Sequence, residues 1–258
     1  MANDRLRSAL ASAAMTSTEL GARIQVDPKT VDRWIANGRV PHRSNRQRVA
    51  SALGQDESYL WPEAFSDAQA SAVSRAELIH VYPNRGSIQA ALWQSLFEAA
   101  TESIDILAFA ASFLHDTLPD VDEVLTEKAR SGVRVRLVFG DPESEAVRIR
   151  GVEEGIGESL AERCRLTWKY LDPILAEPEV SVRAHSNTLY CSMFRFDDDL
   201  LANHHLFGAP ANHSPVMHVR RLVGGRLFDH HMTSFERVWS SATEGPAELR
   251  GGTQVRDF

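Results

Sequence analysis

The residues with the clearest chemical meaning are polar side chains on one face of a short segment that follows Asp27. They mix hydrogen-bond donors and acceptors, and they are Lys29, Thr30, Asp32 and Arg33. Side chains of these types can pair with base edges in the major groove of DNA. Neighbouring basic residues are expected to contact phosphates, which fix register rather than sequence. The predicted members of this second group are Arg39, His42, Arg43, Arg46 and Arg48, and Thr16 and Ser17 are also predicted to bind DNA.

The apolar residues around this polar face are spaced to hold two short helices at a steep angle. Leu20 and Ile24 precede the predicted turn at helical spacing, and Val31 and Trp34 follow it. The two pairs can therefore share one core. The small Gly21 would let the second helix approach the first. We predict a helix-turn-helix whose second helix presents its polar face outward.

Each of these helices has a candidate cap at its N-terminus. Thr16 and Ser17 carry hydroxyl groups that could accept from the free backbone N–H groups of the first helix. Asp27 could do the same for the second helix, and the following Pro28 has the φ angle that a first helical position needs. The second helix is therefore expected to begin near Pro28.

The stretch TSTELGARIQVDPKTVDRWIANGRVP, followed by NRQRVASALGQDESYLWPE, resembles the Cro and phage-repressor (Xre) type of helix-turn-helix transcriptional regulator. The resemblance covers residues 4–62 and implies binding to double-stranded operator DNA. Gln25 stands where the family often has glycine, so we expect a less left-handed turn there. Ile35 stands where an acidic residue commonly follows the tryptophan. The alternative is a helical bundle whose basic residues are merely solvated.

The charge of the chain divides at the end of this segment. Residues 1–62 hold nine Lys and Arg against six Asp and Glu, a net charge of +3. The remaining residues hold 19 basic against 29 acidic side chains, a net charge of −10. The positive residues 1–62, here called the head, can neutralise phosphates. The acidic remainder of the chain, here called the body, is not suited to lie along DNA or an anionic membrane. The two parts are expected to have different partners.

Beyond a predicted linker at residues 63–77, strands and helices alternate. The predicted strands cover residues 78–82, 103–112, 133–141, 180–186, 188–196, 200–207 and 218–222. The predicted helices cover residues 87–103, 120–131, 157–168 and 227–241. Such an order predicts an α/β domain over residues 78–242, with a mixed sheet flanked by helices. Residues 243–258 are expected to form a frayed tail, and Trp168, Tyr170 and Trp239 to belong to the core.

The order AALWQSLFEAATESIDILAFA, VLTEKARSGVRVRLVFGDP and a strand ending in FRFDD resembles one copy of the phospholipase D-like fold. That family's mark is His-x-Lys, four residues and Asp, with Gly-Ser-x-Asn downstream. If Asp197 takes the Asp place, Tyr190 and Ser192 occupy the places of the histidine and lysine. His204 and His205 then occupy the Gly-Ser places. Because neither the nucleophile nor the cation is present, we expect no enzyme activity and no catalytic residues.

The cleft that such a fold implies could still bind a ligand. Its predicted lining is His185, Asn187, Tyr190, Ser192, His204 and His205, and the expected ligand is a small phosphate-bearing effector. The body would then sense this effector. One alternative is a DNA-targeted phosphodiesterase or nuclease that uses His185 with His204 or His205. Another is a body that only oligomerises. The acidic turn at residues 197–199 is interpreted as a solvated hairpin loop.

Other features of the sequence give expected absences and an expected assembly. No histidine pair is flanked by acidic residues at a recognised metal spacing, so we predict no metal site and no cofactor. Cys164 and Cys191 form no disulfide framework, and no apolar run is long enough for a signal peptide or membrane span. A cytoplasmic protein is expected. Because one helix-turn-helix contacts little DNA, and because single-copy members of the phospholipase D-like family pair, we predict a homodimer.

Overall fold

The computed structural model describes residues 2–64 and 73–245. They form two compact units: residues 2–64, 73–77 and 222–227, and residues 78–221 and 228–245. Part of the predicted linker, residues 65–72, lies outside the described residues, as does the predicted tail from residue 246 onward. Each unit is described separately below.

The first unit is helical. Its helices are α1 (Asp4–Ser12), α2 (Ser17–Ile24), α3 (Pro28–Asn37), α4 (Arg43–Leu53) and the single turn α5 (Glu57–Leu60). The core contains the four apolar residues predicted to hold α2 against α3, which are Leu20, Ile24, Val31 and Trp34. The edge of Trp34 meets the ring of Trp61, with their ring centroids 6.4 Å apart. The predicted pair of helices around a shared core is therefore present.

The caps predicted at Thr16 and Asp27 are confirmed, whereas Ser17, the other candidate, is the first residue of α2. The Thr16 hydroxyl accepts from the backbone N–H of Glu19, whose carboxylate accepts in turn from the Thr16 N–H, so the two residues form a capping box. Asp27 accepts from the Lys29 N–H at 2.8 Å, and Pro28 is the first residue of α3. A Cβ on Gly21 would lie 2.8 Å from the Val26 carbonyl oxygen. Only glycine therefore permits this close approach between helix and turn.

The expectation for Gln25 is wrong. Its φ and ψ angles are 58° and 48°, which is the left-handed helical conformation. The Val26 N–H closes the end of α2 by donating to the Gly21 carbonyl at 2.9 Å. This helix ending requires a left-handed residue, and the requirement overrides the preference of a side chain for negative φ. Glutamine in place of glycine therefore adds strain to this turn but does not change its left-handed conformation.

The second unit contains an eight-stranded mixed sheet in the order β1-β7-β6-β5-β2-β3-β4-β8. The strands are β1 (Leu78–Tyr82), β2 (Ser103–Ala108), β3 (Arg134–Gly140), β4 (Val180–His185), β5 (Cys191–Phe196), β6 (Asp199–His204), β7 (Val216–Arg220) and β8 (Thr243–Glu244). Strands β2, β3 and β4 are parallel, and the other pairings are antiparallel. The expectation of a mixed sheet is confirmed, although β8 falls within the segment predicted to be a frayed tail.

The helices of this unit are α6 (Ala90–Ala99), α7 (Phe113–Thr117), α8 (Val121–Arg130), α9 (Glu145–Glu153), α10 (Ser159–Leu171) and α11 (Leu227–Ser241). Helices α7 and α9 were not predicted. The β2 side chains alternate between two sides of the sheet. Ile104 and Ile106 join the large apolar core with Trp93. Asp105 faces the opposite side, where Arg136 of β3 pairs with its carboxylate. Both faces of the central strands are therefore covered.

Candidate nucleic-acid interface and ligand cavity

The predicted base-reading face of α3 points to solvent. Lys29, Asp32 and Arg33 are exposed, and Thr30 is half-buried. Within residues 2–64 and 73–245, the side chains of Lys29 and Arg33 form no ion pair. Helix α3 therefore presents two cationic donors and one anionic acceptor on a face whose opposite side, through Val31 and Trp34, is anchored in the core.

The other residues predicted to bind DNA differ in exposure and in how far their polar groups are already bonded. Arg39, His42 and Arg43 are exposed. His42 precedes α4 without making a side-chain cap, so its ring does not occupy the backbone N–H groups at the start of that helix. Free N–H groups and the positive end of a helix attract anions. Thr16 is exposed but its hydroxyl bonds to Glu19, and Ser17 is half-buried in the first turn of α2.

Arg46 has a structural partner instead. Its Nε donates to Glu57, and one Nη donates to the Pro41 carbonyl at 3.0 Å. The side chains of Arg46 and Glu57 are only 13% and 6% exposed. A guanidinium engaged in this way holds α4 against α5, so the structure gives no support to the prediction that Arg46 contacts phosphate.

In the second unit, a cavity of about 390 Å³ contains two of the six predicted lining residues, Ser192 and His205. Cationic, acidic and aromatic side chains complete it. The residues that line it are Arg85, Phe109, Ala110, Ser112, Phe113, Asp116, Glu154, Leu160, Arg163, Leu166, Tyr170, Ser192, His205, Ala211 and Asn212. Its volume lies within the range of about 300–1,000 Å³ typical of ligand pockets. Tyr170, which was predicted to belong to the core, lies on this wall.

Ser192 and His205 form a hydrogen-bonded pair in the cavity wall. His205 Nδ1 lies 3.2 Å from the Leu189 carbonyl, which can only accept, so that nitrogen carries the proton of the neutral ring. His205 Nε2 then accepts from the Ser192 hydroxyl at 3.0 Å. Burial, aided by the charge of Arg150, lowers the pKa of His205 to about 4. The ring is therefore neutral near pH 7 and is a weak base.

The other four predicted lining residues lie elsewhere. His185 is 1% exposed, its Nε2 bonds to the Ala108 carbonyl and its Nδ1 accepts from the Asn187 N–H. Burial lowers its pKa to about 4. Asn187 accepts from the Ser241 hydroxyl, and Tyr190 is 81% exposed. His204 is half-buried beside His231, with ring centroids 6.4 Å apart. The structure therefore does not bring the six residues together.

Arg85 and Arg163 are the basic residues of the cavity, and neither was predicted from the sequence. The Arg85 guanidinium lies over the Phe113 ring at 3.8 Å and donates to Asn203 Oδ1 at 3.3 Å. Asn203 is itself buried and donates to the carbonyls of Ser214 and Pro215. Burial lowers the pKa of Arg85 to about 10. The PNRGS turn that carries Arg85 reads as an ordinary loop, so the sequence contained no signal for its role.

Asp197 is more than the solvated loop residue predicted. Its φ angle is 52°, and its carboxylate accepts from the backbone N–H groups of Thr101, Glu102 and Ser103 at 2.8, 2.9 and 2.7 Å. Burial alone would raise its pKa, but these hydrogen bonds outweigh burial and lower the pKa below its usual value. Asp197 therefore fastens the β5–β6 turn to the start of β2.

Residues 2–64 and 73–245 contain no cluster of three or more histidine, cysteine or acidic side chains placed to bind a metal ion. Within the same ranges, no helix has the length and apolar character needed to span a bilayer.

This chain is similar to one family model and to solved structures. Residues 75–169 match the model of a family described as a domain of unknown function (DUF5919). A solved structure titled "Structure of TrmBL2, an archaeal chromatin protein, shows a novel mode of DNA binding" aligns with a TM-score of 0.42 and 14% identity. The alignment covers 85% of this chain and 71% of that chain. No curated protein matches the sequence.

Proposed function

We propose that this chain is a sequence-specific DNA-binding transcriptional regulator of the Cro and phage-repressor type, whose body is a catalytically inactive, phospholipase D-like sensor and dimerisation domain. The observation that carries the proposal is the α2–α3 pair, because its apolar side is buried while Lys29, Asp32 and Arg33 remain exposed. A helix with one buried side and one polar side can lie in the major groove.

The surroundings of α3 favour DNA over a neutral partner. Arg39 and Arg43 are exposed on the segment that follows α3, and residues 1–62 carry a net charge of +3. Phosphate contacts from such residues make binding sensitive to salt. Arg46 would act indirectly, since its bond to Glu57 fixes the helix that begins with Arg43.

The test is to select genomic fragments with the purified full chain and to measure their affinity by fluorescence anisotropy. Arg33→Ala should weaken binding to the selected fragment by about 1–3 kcal/mol and leave binding to random DNA nearly unchanged. Arg7→Ala is the matched control, because Arg7 is an exposed arginine of α1 that pairs with Asp4. If no fragment is enriched at low salt, or if both variants lose equally, the proposal is wrong.

Inactivity of the body is supported by the state of its histidines. Both ring nitrogens of His185 are engaged by the backbone, and the lowered pKa of His205 makes it a poor proton acceptor near pH 7. These contacts disfavour a phosphodiesterase that uses the two residues together. We expect no hydrolysis of bis(p-nitrophenyl) phosphate or plasmid above background, with or without EDTA. Turnover that disappears in His205→Ala would contradict this part of the proposal.

We propose a homodimer because a single head contacts little DNA and is expected to bind it weakly. Two linked heads gain affinity because the second binding event becomes intramolecular. A homodimer would therefore bind two half-sites about one helical turn apart. Light scattering at micromolar concentration tests this directly, and a strictly monomeric chain would refute it.

A further inference from the structure

The cavity of the second unit is lined by two arginines that form no ion pair within residues 2–64 and 73–245. Arg85 is half-buried, and its contacts are a neutral amide oxygen and an aromatic ring. Arg163 lines the same cavity, and its side chain makes neither a hydrogen bond nor an ion pair with any residue that the structure describes. Arg85 is within the electrostatic influence of Glu154 without forming an ion pair with it, and Arg163 is exposed. An anion that enters this space can therefore form charge-assisted hydrogen bonds with both guanidinium groups.

The Arg85 head group is held in place before any ligand arrives. The Phe113 ring supports one face of the guanidinium, and Asn203 accepts one of its N–H groups. Asn203 in turn is fixed by two carbonyl oxygens of the segment before β7. A guanidinium has five N–H donors, so most of them remain available for a second partner. Pre-organisation of this kind lowers the entropic cost of binding.

The third basic residue near the cavity is already neutralised. Arg150 pairs with Glu153 and Glu154, and its two Nη atoms donate to the carbonyls of Leu206 and Ala209. Its role is therefore to hold the loop after β6. Glu154 lines the cavity, pairs with Arg150 and also acts electrostatically on Arg85. The guanidinium groups that can bond to a ligand in the cavity are those of Arg85 and Arg163.

Acidic and aromatic groups in the same wall restrict the kind of anion. Asp116 is exposed at the cavity and would repel an extended polyanion such as a nucleic acid backbone. Phe109 and Tyr170 contribute aromatic surface to the lining, against which a flat, unsaturated group can pack. The neutral His205 ring stacks on Phe109, with centroids 5.8 Å apart, and adds further aromatic surface.

We propose that this cavity binds a small molecule with a single oxyanion group, a carboxylate or a phosphate, on a flat unsaturated body, and that Arg85 and Arg163 are the residues that bind the oxyanion. This assignment rests on the proposed sensing function and identifies its ligand class. The shared chemistry is the oxyanion, which can come from an aromatic carboxylate or from a nucleoside monophosphate.

The test is calorimetric titration of the full chain with benzoate, inorganic phosphate and adenosine monophosphate in separate experiments. We expect saturable binding of at least one organic anion, weakened about 10-fold or more in Arg85→Gln and in Arg163→Gln, as the loss of a charge-assisted hydrogen bond implies. Arg165→Gln is the matched control, because Arg165 lies on the same helix as Arg163 but pairs with Glu143 and Glu162 outside the cavity.

Two results would overturn the assignment: no saturable binding of any of the three anions, or equal affinities in all three variants and the unmodified chain. Arg163 is exposed, so Arg163→Gln should leave the fold intact, and thermal melts check this for each variant. DNA affinity is measured separately by anisotropy. Anion binding without any change in DNA affinity would uphold the cavity site and refute the sensing role.

Discussion

The structural role of Asp197 can be tested by replacing it with asparagine. Asp197→Asn keeps the size of the side chain and tolerates the positive φ of this position. It removes the negative charge that accepts from Thr101, Glu102 and Ser103. It also offers an amide NH₂ group toward backbone donors, where an acceptor is needed. The substitution therefore reports on the carboxylate rather than on the backbone.

The expected loss of stability follows from these contacts. A hydrogen bond to a charged group contributes about 1.5–3 kcal/mol, but Asp197 is only half-buried, so water screens its charge and weakens each bond. The remaining amide oxygen can still accept from one of the N–H groups. We expect the free energy of unfolding to fall by ~2 kcal/mol at pH 7, within the usual range for a single destabilising substitution.

The loss should also depend on pH, with a definite sign. Since the folded-state pKa of Asp197 is lowered, its carboxylate stabilises the fold above the unfolded-state pKa of about 3.9. This contribution disappears as pH falls through the lower folded-state value. The difference between the unmodified chain and Asp197→Asn should therefore be constant near neutrality and shrink below about pH 4.

Urea unfolding of the full chain, followed by tryptophan fluorescence, measures both effects. Asp198→Asn is the matched control, because the neighbouring Asp198 is exposed and its distance to Arg221 is 3.9 Å. The control should change stability by less than about 0.5 kcal/mol, as surface substitutions usually do. An Asp197→Asn loss no larger than that of the control, or one that persists unchanged at pH 3, would refute the reasoning.

Three further predictions concern the helical unit. Gln25→Gly should raise the free energy of unfolding by ~1 kcal/mol, because glycine adopts the left-handed conformation of this position without the strain of a side chain. A lower free energy of unfolding, measured by urea denaturation, would contradict this. Glu57→Ala should destabilise by about 2–3 kcal/mol, because Arg46 loses its carboxylate partner, and an unchanged melting temperature would contradict this. Arg43→Ala should weaken all DNA sequences alike and lower the salt slope by about one, whereas Arg33→Ala should mainly relax specificity; identical behaviour in salt-dependent anisotropy would remove the distinction.

Local chemistry explains which parts of the fold could be predicted from the sequence. The Thr16 and Asp27 caps, the Gly21 contact and the α2–α3 core each depend on residues close together in the chain, so spacing alone revealed them. Gln25 was misjudged because the helix ending, rather than the residue type, sets the backbone conformation there. Helix α9 was missed, and its Arg150 is buried by contacts with residues more than fifty positions away.

The candidate site was harder to predict for the same reason. Arg85 and Asn203 are separated by 118 positions, and Arg163 lies on a different helix. Their approach depends on the order of strands in the sheet, because β1 pairs with β7 and β7 with β6. Period and composition do not contain that information. The number of histidines led to the prediction of His185 and His204, whereas the two arginines of the cavity can be recognised only from the tertiary contacts.

The shape of the cavity does not depend on the residues that a reaction would need. The register of β5 and β6 places Ser192 opposite Asn203, and the Asp197 turn that joins the two strands is fastened to the start of β2. Position 205 is then the diagonal neighbour of position 192 on the same face, where Ser192 and His205 form their hydrogen bond. A catalytic site needs a nucleophile, a base and cations at once, and losing one removes most of the rate. A binding site tolerates such losses, since Arg85 and Arg163 approach the same space from other elements. The inactivity and the ligand binding that we propose are thus physically compatible in this sheet.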